Sequence, residues 1–178
     1  MLKLLVAVDG SESSDKAVKE VARRLDGSEQ VTLLTVIKEI NVPGENTSSQ
    51  TTTKTTNKQT TDSPSSPSSP GSTGSAGSPG SAGSQRQIKK IREKNKLEEE
   101  GKDILKAAEE VLQEKDVDIE KVLLEGNPPE QICQLAEEKD VDYIVLGNRG
   151  KGGIKKFLLG STSEKVLRNA ERSVCVIK

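Results

Sequence analysis

Apolar residues along this chain fall into short continuous runs separated by segments with helical spacing. Leu2 to Val8 is apolar apart from Lys3, too short for a buried helix and without period-two alternation, which predicts a strand covered on both faces. It ends at Asp9-Gly10-Ser11, where Ser11 can cap a helix carried by Ala17, Val18, Val21, Ala22 and Leu25, closed by Gly27. Val31 to Ile37 predicts a second buried strand. From Ile88 to about Lys115, Leu97, Ile104, Leu105, Ala108, Val111 and Leu112 form one apolar stripe on a highly charged helix. Val122 to Leu124 predicts a third strand. Asn127-Pro128-Pro129-Glu130 opens a helix over Ile132 to Glu138, with Asn127 as cap and proline in the first turn. Val141 to Leu146 is the fourth strand, Ser163 to Asn169 the last helix and Val174 to Ile177 the fifth strand.

Strands that alternate with helices and lack a polar face predict an α/β fold, an open doubly wound parallel sheet with helices on both faces. Ligands in such sheets bind beyond the carboxyl ends of strands, where the winding reverses. The exits of strands one, two and four, at Asp9, Ile37 and Gly147, are therefore the places to look.

One stretch interrupts the pattern. Between about residues 44 and 86 the chain is mostly Ser, Thr, Gly and Pro with scarcely any apolar side chain, and cannot bury enough apolar surface to offset about 1–2 kcal/mol of backbone entropy per residue. It is expected to be a disordered insertion in a single domain, and its Gly-Ser-Ala phrases suit a flexible spacer, natural or engineered; a partner-binding or modified segment is the alternative. With aromatic residues at 1%, the core must be aliphatic.

Charge and composition narrow the function. A net charge of −1 gives no general attraction to nucleic acid or membrane, and too few aromatics remain to stack bases. No apolar run approaches membrane length and the N-terminus does not fit a signal peptide, so a cytoplasmic location is expected. Cys133 and Cys175 fit no metal or redox spacing, and histidine is absent, which removes the commonest general base. No catalytic residue set or protein metal site is predicted. At most, slow metal-dependent ATP hydrolysis or nucleotidyl transfer remains as an alternative, and a nucleotide-free dimeric scaffold as a third.

The segment Gly147-Asn148-Arg149-Gly150-Lys151-Gly152-Gly153, followed by Gly160-Ser161-Thr162-Ser163, carries the candidate chemistry. Glycines let a ligand approach main-chain N–H groups, and a helix start adds further donors and a favourable dipole for anions. Arg149, Lys151, Lys155 and Lys156 add positive charge. The competing reading is structural: Ser161-Thr162-Ser163-Glu164 has the form of a capping box, and glycine-rich loops also serve simply to turn the chain. The segment is neither a Walker loop nor a dinucleotide fingerprint.

The spacing Gly147-x2-Gly150-x9-Gly160-Ser161, after strand four and before Glu164-Lys165-Val166-Leu167-Arg168, resembles the ATP-binding signature of the universal stress protein family. The resemblance extends to Val6-Ala7-Val8-Asp9-Gly10-Ser11, Leu33-Leu34-Thr35-Val36, Glu125-Gly126-Asn127-Pro128 and Ser173-Val174-Cys175-Val176-Ile177. It implies a Rossmann-like, adenine nucleotide alpha hydrolase-like sheet of order 3-2-1-4-5. It also implies that Ala7, Val8, Asp9 and Val36 meet the adenosine end. Gly147 through Gly153 would wrap the ribose and phosphates, and Gly160, Ser161, Thr162 and Ser163 would bind phosphate. ATP or AMP would be the ligand, with Mg²⁺ or Mn²⁺ held mainly by the phosphates, and the protein a homodimer through Val174 to Ile177 that answers to a further protein partner. Asp9 alternatively holds a metal, orients a water or caps the helix. Asn148 departs from the serine frequent in the family, and Asn169-Ala170-Glu171-Arg172 lacks the usual His and Pro.

Overall fold

A computed structural model of the chain describes residues 1–41, 81–115, 117–150 and 159–178, with no side-chain description for 81–84. Two compact units result: residues 1–40 with 92–178, and residues 41–91. The larger one contains the sheet and the core.

Among the described residues the order is β1 (Lys3–Ala7), α1 (Glu12–Arg24), β2 (Gln30–Ile37), α2 (Ser81–Leu112), β3 (Asp118–Glu125), α3 (Pro128–Glu138), β4 (Tyr143–Gly147), α4 (Ser161–Asn169) and β5 (Ser173–Ile177). All neighbouring strands pair in parallel, in the order β3-β2-β1-β4-β5. The expected fold class and strand order are both present. Register puts Ala7 opposite Leu34 on one side and Leu146 on the other, so β1 and β4 end within one residue of each other while β2 runs on to Ile37. The winding reverses between β1 and β4.

Strand alternation sends side chains into two cores. Leu4, Val6, Val8, Val31, Leu33 and Val145 pack with Val18 and Val21 of α1 and Leu105, Ala108 and Leu112 of α2. Leu5, Leu34, Ile144 and Leu146 pack with Ile132, Leu135 and Ala136 of α3 and Val166 of α4. Both cores are aliphatic, as the composition required. No helix among the described residues is long and apolar enough to cross a membrane.

Several local expectations need correction. The insertion was expected to be without structure to about residue 86, yet α2 begins at Ser81; residues 42–80 lie outside the described ones. Asn127 occupies the cap position of α3, but its side chain makes no cap bond and donates instead to Glu130 Oε1 at 2.6 Å. Glu130 thus serves the Asn127 amide and not the backbone. Strand β3 is longer than Val122–Leu124 because its pairing with β2 runs without a break from Gln30↔Asp118 to Ile37↔Glu125. Gly27 lies beyond the end of α1, whose C-cap is Leu25, and takes a φ of 99° in the turn to β2.

Candidate functional site

At the carboxyl ends of β1, β2 and β4 lies a cavity of about 130 Å³. Of the residues singled out from sequence, Ala7, Val8, Asp9, Val36, Gly147, Arg149, Gly150, Thr162 and Ser163 line it. Asn148, Gly160 and Ser161 are adjacent in the chain but outside its lining, and Lys151, Gly152, Gly153, Lys155 and Lys156 lie outside the described residues. Sequence reasoning missed Ser14, Leu34, Pro128, Ile132 and Leu146, which also face the cavity. For Leu146 the signal was available, since it sits next to the marked exit of β4, whereas Leu34 lies three residues inside β2 and is reached because β1 ends opposite it. Pro128 and Ile132 belong to α3, whose start is carried over the same rim.

The cavity has two chemically different walls. Leu34, Val36, Ile132 and Leu146 make one side apolar, suited to a flat ring. The other side holds Asp9, Arg149, Gly150, Thr162 and Ser163. Arg149 Nε is buried and has no hydrogen-bond partner among the described residues. An orphaned donor of this kind is rare and calls for an acceptor.

Two helices start beside the C-terminal end of β4, and they differ. On α1, Ser11 is the N-cap and its hydroxyl accepts from Ser14 N at 3.2 Å, with Glu12 and Asp15 in the first turn. That end is satisfied internally. On α4 the N-cap is Gly160, and no side chain bonds the first turn. The capping-box reading of Ser161 and Glu164 is therefore corrected: Ser161 is already the first helical residue. The first-turn amides of Ser161, Thr162 and Ser163 have no intrahelical carbonyl within reach, and among the described residues no side-chain cap bond is made at this helix start.

Other candidate donors are already engaged. Asn148 N donates to Ile177 O at 2.8 Å, and Gly160 N donates to Asn148 O at 2.8 Å. Ser163 Oγ donates to Gly147 O at 2.8 Å, so this serine retains only its amide for an outside acceptor. Asn148 Oδ1 accepts from Ser13 Oγ at 2.9 Å, tying the departure from serine to α1.

The glycines act through close approach. A Cβ on Gly147 would lie 2.6 to 2.8 Å from backbone atoms of Ser13 and Ser14, so this position lets α1 sit against the end of β4. A Cβ on Gly150 would lie 2.6 Å from Asp9 Oδ2. Asp9 Oδ1 accepts from Ser11 N at 3.0 Å, and Ser11 Oγ donates to Arg149 O at 3.1 Å. These bonds hold the β1 exit and the glycine loop together across the cavity mouth.

The model of the universal stress protein family matches residues 64–178, well over half of the chain. The chain belongs to the universal stress protein family. Among curated members it is 43% identical over 82 residues to universal stress protein MJ0531 of Methanocaldococcus jannaschii, covering 46% of this chain and 48% of that one. It is 35% identical over 85 residues to MJ0577 of the same organism, covering 48% and 52%. The chain thus spans about half the length of the curated relatives it matches. The solved structure of MJ0577 superimposes with a TM-score of 0.69 at 25% identity, covering 99% of this chain and 95% of that one. A family protein from Arabidopsis thaliana, solved with AMP bound, shares the fold at a TM-score of 0.58 and 20% identity, covering 100% and 92%.

Proposed function

We propose that this universal stress protein binds an adenine nucleotide, ATP or AMP, in the cavity above β1, β2 and β4, and acts as a nucleotide-dependent regulator in a stress response. The observation that carries the reading is the start of α4: it has a glycine at its cap and no side-chain cap bond among the described residues, and it brings the first-turn residues Thr162 and Ser163 to the polar wall beside Arg149 Nε. Helix starts of this kind attract phosphate through both their free N–H groups and their dipole. The apolar wall of Val36, Leu34, Ile132 and Leu146 would take the base, with Ala7, Val8 and Asp9 toward the ribose. AMP in a protein of the same fold supports the ligand class.

A divalent ion is expected as a companion of the ligand. Among the described residues no three potential ligand side chains cluster, and Asp9 is the carboxylate that lines the cavity. Mg²⁺ or Mn²⁺ would therefore draw most of its oxygen ligands from phosphates and water. The same reading places a homodimer seam on β5. Cys175 on this edge strand is exposed, and an apolar groove of about 370 Å³ runs beside it between Leu2, Leu4, Tyr143 and Val145. An edge strand next to such a groove needs covering.

Titration calorimetry of ATP and AMP against wild type and Gly150→Val tests the binding. Valine would push the Asp9 carboxylate aside and fill the approach to the loop, so affinity is expected to fall at least about tenfold. Equal affinity in the two proteins would remove this site from consideration.

A further inference from the structure

The near-zero total charge conceals a local concentration. Between residues 86 and 96 there are six cations and one acid, Glu93; Lys94 and Lys96 pair with Glu125 and Glu100, and Arg86, Lys89 and Lys90 give the first part a net +3. The first part of this run lies on α2 within the smaller unit. There every residue from Gln85 to Ile91 is exposed, including Ile88 at 45% and Ile91 at 40%. These isoleucines are three residues apart and so share one helix face. Arg86, Lys89 and Lys90 occupy the remaining surface. Lys90 Nζ donates to Asn41 O at 2.9 Å, a neutral acceptor that leaves the positive charge in place.

We infer that the Gln85–Ile91 segment of α2 docks on an anionic lipid surface, with Ile88 and Ile91 at the acyl boundary and the cations among the headgroups. Three features select this occupant. The charge is of one sign and dense, which favours a negatively charged surface. The paired isoleucines favour an apolar layer beneath that charge, which a nucleic-acid backbone does not supply. Among the described residues the segment is a single convex helix surface that lines neither cavity described above, a shape that suits a bilayer, which requires no groove. Such contact is peripheral and reversible, and compatible with the absence of a spanning helix among the described residues.

The full chain is tested by co-sedimentation with vesicles of phosphatidylcholine alone and of equal parts phosphatidylcholine and phosphatidylserine. Wild type should bind only the anionic vesicles, and less as salt rises. Arg86→Glu with Lys89→Glu should weaken that binding at least about tenfold. Ile88→Ser with Ile91→Ser should weaken it several-fold while keeping the salt dependence. Thermal melts of both variants should match wild type, because all four side chains are exposed. Failure to bind the anionic vesicles at low salt, equal binding to both compositions, or indifference to charge reversal would overturn the inference. So would binding to duplex DNA or to an acidic polypeptide in the same assay with the vesicles left unbound. None of these outcomes bears on the nucleotide site.

Discussion

Gly147 and Ser11 show how single residues here serve the scaffold and the site together. Gly147 has no positive φ; it is glycine because α1 leaves no room for a Cβ. Gly147→Ala should therefore destabilise the protein by about 2 kcal/mol or more, read as a lower urea midpoint, even without ligand. Ser11 caps α1 and also bonds the Arg149 carbonyl. Ser11→Ala should cost about 1 kcal/mol of stability from the cap. It should also weaken nucleotide binding in the calorimeter, because the loop that presents Arg149 loses its tether. The sequence motif marked these positions as a group, but spacing could not separate glycines that admit a helix from those that admit a ligand. That distinction depends on contacts between residues more than a hundred positions apart.

At the scale of elements, the contrast between α1 and α4 is the informative one. Both begin beside β4, both carry serine and glutamate in their opening residues, and only α1 is capped by a side chain. Gly160→Asp would give α4 the acceptor it lacks. The expected result is an unchanged or slightly raised urea midpoint, about 0.5 kcal/mol at most, with ATP affinity reduced at least about tenfold. Its Cβ would approach the Asn148 carbonyl to 3.3 Å, which limits the gain. The strands and helices themselves were legible because aliphatic runs and helical stripes were well separated, as in β1 and α1. Cap positions were not, since Ser161-x-x-Glu164 and Asn127-x-x-Glu130 satisfy the same local pattern whether or not the backbone uses it. In α4 the helix starts one residue earlier than the pattern implies, and in α3 the two side chains bond each other.

For the whole molecule, both apolar cores are built from residues of the larger unit alone. Replacing residues 42–80 by a flexible linker of about a dozen residues should therefore leave the melting temperature within about 2 °C and nucleotide affinity unchanged. The proposed β5 seam has its own readout in the two thiols. Cys133 is half-buried, and its thiol is pushed up by burial and secondarily by Glu137. Cys175 is exposed on β5, so iodoacetamide should reach it first in dilute protein and be excluded as protein concentration drives pairing. Topology and layer order could be read from the alternation of elements, whereas the apolar groove beside β5 could not, because it depends on which part of the sheet α1 leaves uncovered. One residue joins these two regions: Asn148 donates its N–H to Ile177 O at the end of β5, and its carbonyl accepts from Gly160 N. Edge and pocket therefore share a hinge pin. If chains pair through the proposed β5 seam, thermodynamic reciprocity requires that whatever factor a filled pocket lends to self-association, self-association repays to occupancy, and any factor other than one would make the apparent dissociation constant depend on how much protein is in the tube.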